Sequence, residues 1–184
     1  MTSASPSIAR APAATDPLAL VDVDHVRFYV GNAKQSAYFY ASAFGFQVEQ
    51  ISDLTTGNRE SAQYLLTQGN IRFLIETALT PDAPAAAEVK TFGDGIKDIA
   101  FNVFDAEAAW KQAVKNGGRS AYEPRTVSDA HGSVTTAGIH TYGRAIHSFV
   151  SRTGKYALPE VKQGATFMPG FRPIGPFALN DYNR

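Results

Sequence analysis

The sequence predicts an α+β fold made of two tandem β-α-β-β-β modules, and three observations carry that prediction. A strand-like segment, Asp24-His25-Val26-Arg27-Phe28-Tyr29-Val30-Gly31-Asn32, returns as Lys97-Asp98-Ile99-Ala100-Phe101-Asn102-Val103-Phe104-Asp105. In each copy the alternating apolar run ends at a helix-capping side chain, Asn32 or Asp105, seven positions after His25 or Asp98. In each copy a helical stretch follows and stops at a glycine, Gly45 or Gly117. A whole strand-helix unit repeated at a separation of 73 residues marks a duplicated module.

The first module is predicted over residues 21–80. Val23 to Val30 alternates as a strand. Asn32 caps the helix, with Gln35 placed to complete a capping box. Ala37, Tyr40, Ala41 and Phe44 give that helix an apolar face, and Gly45 ends it. Phe46 to Ile51, Ser61 to Thr67 and Ile71 to Glu76 read as strands, the last two joined by a Gln68-Gly69-Asn70 turn. Thr80 to Gly95, with Pro81, Pro84 and an alanine cluster, reads as the inter-module connection.

The second module is predicted over residues 96–153. Ile96 to Val103 is its first strand, and Asp105 caps a helix carrying Ala109, Trp110, Ala113 and Val114 on one face. Arg119 to Glu123, Ser133 to His140 and Arg144 to Ser151 supply three more strands. Beyond Thr153 the chain is rich in Gly and Pro and loses periodicity. Residues 154–184 are therefore expected to form an exit strap or linker.

Composition removes several classes of function. With 184 residues and 44% hydrophobic content the chain can bury one good core. A formal net charge of zero gives no reason to expect nucleic acid or a membrane surface as partner. No cysteine is present, so there is no disulfide framework or thiolate metal site, which suits a cytoplasmic protein. No apolar run approaches the roughly 20 residues a membrane-spanning helix needs. Residues 1–20, mostly Ala, Ser, Thr and Pro at their start, read as a disordered tail with no secretory signal.

The paired modules, with a polar residue near the start of each first strand, resemble the vicinal-oxygen-chelate (glyoxalase-like) superfamily. That resemblance implies an incomplete barrel whose mouth can hold a metal, with ligand positions on the first and last strand of each module. Mapped through the repeat, those positions are His25 and Glu76, then Asp98 and Ser148. Val30 to Ala37, Tyr40 to Phe46, Gly93 to Phe101, Tyr142-Gly143 with Arg152-Thr153-Gly154, and Met168-Pro169-Gly170-Phe171 narrow the match. Together they resemble the amino-terminal half of the 4-hydroxyphenylpyruvate dioxygenase family, which shares this half with the 4-hydroxymandelate synthases.

The resemblance implies that Fe(II) belongs to a carboxyl-terminal half, held there by two histidines and one glutamate, and that this half lies beyond Asn180 to Arg184. It therefore carries no catalytic, cofactor-binding or metal-binding residue of the family onto this chain. A non-haem iron oxygenase needs two imidazoles and one carboxylate on one face. The positions here offer His25 as the lone imidazole, and Ser148 is a poor ligand while protonated.

Two readings of the four positions stay open. His25, Glu76 and Asp98 form a set that could hold a divalent cation. Alternatively, His25 and Asp98 hydrogen-bond each other or nearby backbone inside a filled barrel. His131, His140 and His147 are read as turn or wall residues, with His147 pointing away from Ser148. Arg27, Arg72, Arg125 and Arg144 are read as strand-edge solvation. Phe28, Tyr38, Phe39, Phe44, Phe46, Phe73, Phe101 and Trp110 are expected to pack helices on the sheet.

The expected role is that of a non-catalytic structural and oligomerisation domain, partnered by a carboxyl-terminal catalytic half and forming a homo-oligomer. Two alternatives are a stand-alone protein binding a small aromatic molecule and a small metalloenzyme using His25, Glu76 and Asp98. An open cavity at the mouth favours the first alternative, and side chains packing it solid disfavour it.

Overall fold

A computed structural model describes Asp16, residues 18–157 and residues 166–175. Most of the expected N-terminal tail lies outside the described residues, as do Pro159, Gly164, Pro176 and the segment Asn180 to Arg184. The first copy runs β1 (Leu20–Tyr29), α1 (Ala33–Phe44), β2 (Gln47–Ser52), β3 (Ser61–Gln68) and β4 (Ile71–Ala78). Helix α2 (Pro84–Phe92) follows. The second copy runs β5 (Gly95–Val103), α3 (Ala106–Lys115), β6 (Ser120–Asp129), β7 (Gly132–His140) and β8 (Ile146–Arg152). A short β9 (Arg172–Pro173) comes last. The α+β class and the repeated strand-helix order are as the sequence predicts.

The described strands form one curled half-barrel sheet, ordered β6-β7-β8-β5-β1-β4-β3-β2-β9. Within each copy the first and last strands pair in parallel, β1 with β4 and β5 with β8. Between copies, β1 and β5 pair antiparallel. That seam makes one continuous sheet of the two copies.

Strand alternation sorts the core into two faces. On β3 and β4, Tyr64, Leu66 and Ile75 pack with Ala33 and Ala37 of α1, while Leu65 and Leu74 face the other way onto Phe167 and Phe171. In the second copy, Val103 and Phe149 meet Ala106, Ala109 and Ala113 of α3, and Ala100, Val134 and Val150 meet Tyr156 on the opposite face.

The two N-caps and the first C-cap form as the sequence predicts: Asn32 Oδ1 accepts from the Gln35 N–H at 3.0 Å, Asp105 accepts from Glu107 and Ala108, and Gly45 takes the left-handed conformation at φ 79°. Helix α3 is instead capped by Asn116, one residue before Gly117.

Three elements differ from expectation. Helix α2 occupies what reads as a connection: Pro84 sits in its first turn, where the missing N–H costs nothing, and its Glu88 holds Lys97 at 2.6 Å. Strand β6 continues past Glu123 to Asp129, because Pro124 lies at a register shift on an edge strand where no ladder donor is needed. Helix α1 buries its small residues, leaving Phe39 and Phe44 54% and 56% exposed rather than packed on the sheet.

The aperiodic C-terminal stretch is seated where it is described. β9 pairs with β2, and the Phe167 N–H donates to Gln50 Oε1 at 2.7 Å. Nearby, the β6–β7 turn closes against the chain after β8. Gly154 has φ 59°, and a Cβ there would strike the His131 carbonyl. Among the described residues no helix is long and apolar enough to cross a membrane.

Candidate functional site

The seam strands β1 and β5, with their parallel partners β4 and β8, position the side chains that the repeat singles out. Arg27 of β1 lies opposite Asp98 of β5, and Tyr29 lies beside Glu76 of β4. Ser148 of β8 pairs with Gly138 of β7. His25, Glu76, Asp98 and Ser148 are 2%, 6%, 3% and 2% exposed, and all four line one cavity of about 550 Å³. The mouth of the half-barrel is open rather than filled by side chains.

Asp98 and Ser148 are tied to each other. The Ser148 N–H donates to Asp98 Oδ1 at 3.0 Å, and its hydroxyl donates to Asp98 Oδ2. With that proton committed, the Tyr122 hydroxyl is the donor of the 2.6 Å bond to Ser148 Oγ. Burial, with the Asp98 charge adding to it, pushes the Tyr122 phenol above its usual range and keeps it protonated.

His25 does not bond Asp98. Its Nδ1 lies 2.7 Å from Oδ1 of Asp24, the preceding residue. Strict alternation would put Asp24 on the opposite face, but the β1–β5 register slips between Val23 and His25, so both side chains are buried together. Arg152 grips the same carboxylate through Nε and Nη2, and its Nη1 donates to the Phe167 carbonyl. The Arg72 Nε–H donates to the Asp24 carbonyl at 2.7 Å.

Burial alone would raise the Asp24 pKa, but Arg152 and then His25 overcome that and hold it well below the carboxylate range. Burial lowers the His25 pKa despite its hydrogen bond to Asp24, so the imidazole is held neutral. Arg27 Nη1 stands 3.6 Å from Glu76 Oε2; burial works against the guanidinium charge, and Glu76 and Asp98 more than restore it.

This donor set does not fit the two-imidazole, one-carboxylate iron site. Among the four mapped positions there is one imidazole, both Asp98 oxygens are taken by Ser148, and Glu76 faces a guanidinium; His140 lines the same cavity outside that set. Among the described residues no group of three or more His, Cys, Asp or Glu side chains is placed to hold a metal ion.

Sequence reasoning missed Asp24, Arg152 and Phe167, and read Arg72 as edge solvation although it is buried. Only the register slip and contacts across most of the chain reveal them. His147 does point away from the cavity, with Nδ1 at 3.1 Å from the Ile99 carbonyl and its ring against Phe101.

The curled sheet with paired modules and a polar mouth defines a glyoxalase-type fold. The chain belongs to the Glyoxalase/Bleomycin resistance protein/Dioxygenase superfamily, whose family model matches residues 22–156. It is homologous to the amino-terminal part of 4-hydroxyphenylpyruvate dioxygenases. It is 42% identical over 152 residues to that of Yarrowia lipolytica, covering 80% of this chain and 36% of the relative. Against that of Dictyostelium discoideum it is 43% identical over 150 residues, covering 80% of this chain and 39% of the relative. The chain thus spans well under half the length of these relatives.

Among solved structures, a variant of 4-hydroxymandelate synthase from Streptomyces coelicolor superposes with a TM-score of 0.66 at 23% identity, over 76% of this chain and 42% of that one. Methylmalonyl-CoA epimerase from Mycobacterium tuberculosis superposes with a TM-score of 0.61 at 19% identity, over 78% of this chain and 95% of that one. These two likenesses concern the fold alone.

Proposed function

We propose that this chain is the amino-terminal, non-catalytic domain of a 4-hydroxyphenylpyruvate dioxygenase-like protein, with a structural and oligomerisation role. The parent activity is the Fe(II)- and O₂-dependent conversion of 4-hydroxyphenylpyruvate to homogentisate in tyrosine catabolism, in the cytoplasm. The partners are a carboxyl-terminal catalytic half, which carries the iron, and further copies of the same protein.

The observation that carries this reading is the alignment's asymmetry: about 42% identity over 80% of this chain accounts for 36% of the relative. The donor set at the four mapped positions agrees with it, since His25 is their lone imidazole and one imidazole cannot complete the iron triad. The exposed Phe39 and Phe44 on α1 supply apolar surface of the kind that partner contacts use.

The test has two arms. The purified chain, supplied with Fe(II), ascorbate and 4-hydroxyphenylpyruvate, is expected to form no homogentisate; product formation overturns the non-catalytic role. The coding frame downstream of Arg184 is expected to carry a second pair of modules with two histidines and one glutamate on the corresponding strands. A frame without them overturns the half-protein reading.

A further inference from the structure

We infer that β6 is a docking edge for a second molecule of this protein, whose own β6 pairs with it antiparallel about a two-fold axis at Val127. The inference rests on the oligomerisation role proposed above and gives that role a surface.

Among the described strands, β6 and β9 form the two edges of the sheet. An open edge presents unpaired backbone N–H and C=O groups, and folded proteins blunt it with short strands, proline or bulges. β9 is blunted, with two residues ending in Pro173. The first half of β6 is blunted too, by Pro124 and by register shifts between Ser120 and Tyr122 and between Tyr122 and Arg125. From Arg125 to Asp129 none of these devices is present. These residues pair with β7 in unbroken register, Arg125 with Thr136 through Asp129 with Gly132, and all are exposed.

The stretch is also held ready. On the far side of the hairpin the Thr153 N–H donates to the Ser133 carbonyl and the Lys155 N–H to the His131 carbonyl, at 2.9 Å each. In an antiparallel ladder every second residue turns its N–H and C=O away from the strand it pairs with. Arg125 to Asp129 therefore offers an outward row of main-chain groups that an added strand can take up.

Side chains specify the occupant and the register. Alternation puts Arg125, Val127 and Asp129 on one face and Thr126 and Ser128 on the other. With Val127 on the axis, Arg125 stands opposite Asp129 of the second molecule, Thr126 opposite Ser128, and Val127, 54% exposed, opposite Val127. Cation meets anion, hydroxyl meets hydroxyl and apolar meets apolar. An axis at Thr126 sets Glu123 against Asp129, and one at Ser128 sets Val127 against Asp129. Arg125 lies over the Tyr122 ring and has no ionic partner among the described residues. Asp129 already accepts from the Tyr156 hydroxyl and the His131 N–H, and a carboxylate, with about four acceptor sites, keeps room for a guanidinium. The contact is small, so the dimer is weak: main-chain bonds supply affinity and the ion pairs set register.

The full chain contains no cysteine, so a single introduced one reports on that register. Val127→Cys sits on the axis, where facing Cα atoms fall within the disulfide range of about 4.4–6.8 Å. Ser128→Cys is displaced by two residues from its counterpart, a diagonal of about 7–8 Å, beyond easy bridging. Sedimentation of the wild-type chain over a concentration series is expected to show reversible dimers. Mild oxidation is expected to link Val127→Cys and to leave Ser128→Cys largely unlinked. Arg125→Glu, which sets like charges opposite each other at both ends, is expected to weaken association about tenfold. Dimers with equal cross-linking at the two positions, or unchanged association in a folded Arg125→Glu variant, overturn the β6 pairing and leave the oligomerisation role to another surface. A chain that stays monomeric at every concentration overturns both.

Discussion

Arg152 holds the Asp24 carboxylate in a fork, Nε to Oδ2 and Nη2 to Oδ1 at 2.9 Å each, joining β8 to β1 across 128 residues of chain. Both side chains are almost wholly buried, and the third guanidinium nitrogen reaches the Phe167 carbonyl. Removing the arginine leaves an uncompensated charge in the interior. Arg152→Met is therefore expected to lose about 3–5 kcal/mol of stability by urea unfolding. Arg152→Lys keeps the charge but not the fork, and falls between. A loss below about 1 kcal/mol for Arg152→Met, the range of an exposed pair, contradicts this account.

Asp24 and its other partner, His25, give a signed pH dependence. The folded pKa of His25 lies below its unfolded value, so the neutral ring's contribution is complete above about pH 6.5 and drains away as pH falls below that. Asp24 is also held below its unfolded value, so its contribution is lost as pH falls through and below about 4. Both act in one direction. Unfolding free energy is expected to decline from neutrality toward acid, and His25 to remain neutral by NMR at pH values where free imidazole is half charged. A His25 that charges at pH 6.5 with no loss of stability refutes it.

At the alkaline end, burial, then Glu76, pushes the Tyr29 phenol up to about 12, and burial, then its bond to Asp129, does the same for Tyr156. A raised phenol contributes stability below its unfolded pKa of about 10 and loses it as pH climbs toward 12. Absorbance titration of the phenolates is expected to show a late fraction near pH 12 that shrinks in Tyr29→Phe. If Tyr29→Phe leaves the late fraction unchanged, the assignment fails.

Gly154 and Gly132 face each other where the β6–β7 turn meets the chain after β8, both at positive φ. A side chain at Gly154 meets backbone, which cannot swing aside as a flexible side chain can. Gly154→Ala is expected to destabilise by about 1–3 kcal/mol or more, from backbone strain and the forced separation. Gly143→Ala has positive φ but open space, so it is expected to cost less. Equal thermal shifts for the two variants refute the contact argument.

What the sequence made legible is what local periodicity encodes. The recurrence of His25 at Asp98 sets the register of both first strands, and that register brings Glu76 and Ser148 to the same cavity. Asp24 was hidden by a slip between Val23 and His25, which no alternation pattern records. Arg72 read as strand-edge solvation and Arg152 was given no site role, because the groups that justify their burial lie 48 and 128 residues away. Helix α2 was masked by Pro84, a residue that breaks helices everywhere except in their first turn. Phe39 and Phe44 were expected to pack on the sheet, but Ala33 and Ala37 bring α1 close and turn those rings outward.

The pairing of β1 with β5 makes the two copies mutually dependent as folding units. Each first strand finds one neighbour in its own copy and the other in its sibling, so neither half has a complete sheet in isolation. Nucleation then awaits contacts between distant parts of the polypeptide, which slows folding. Loss of either copy strips a long edge bare on the other, and the duplicated halves stand or melt as a single cooperative body.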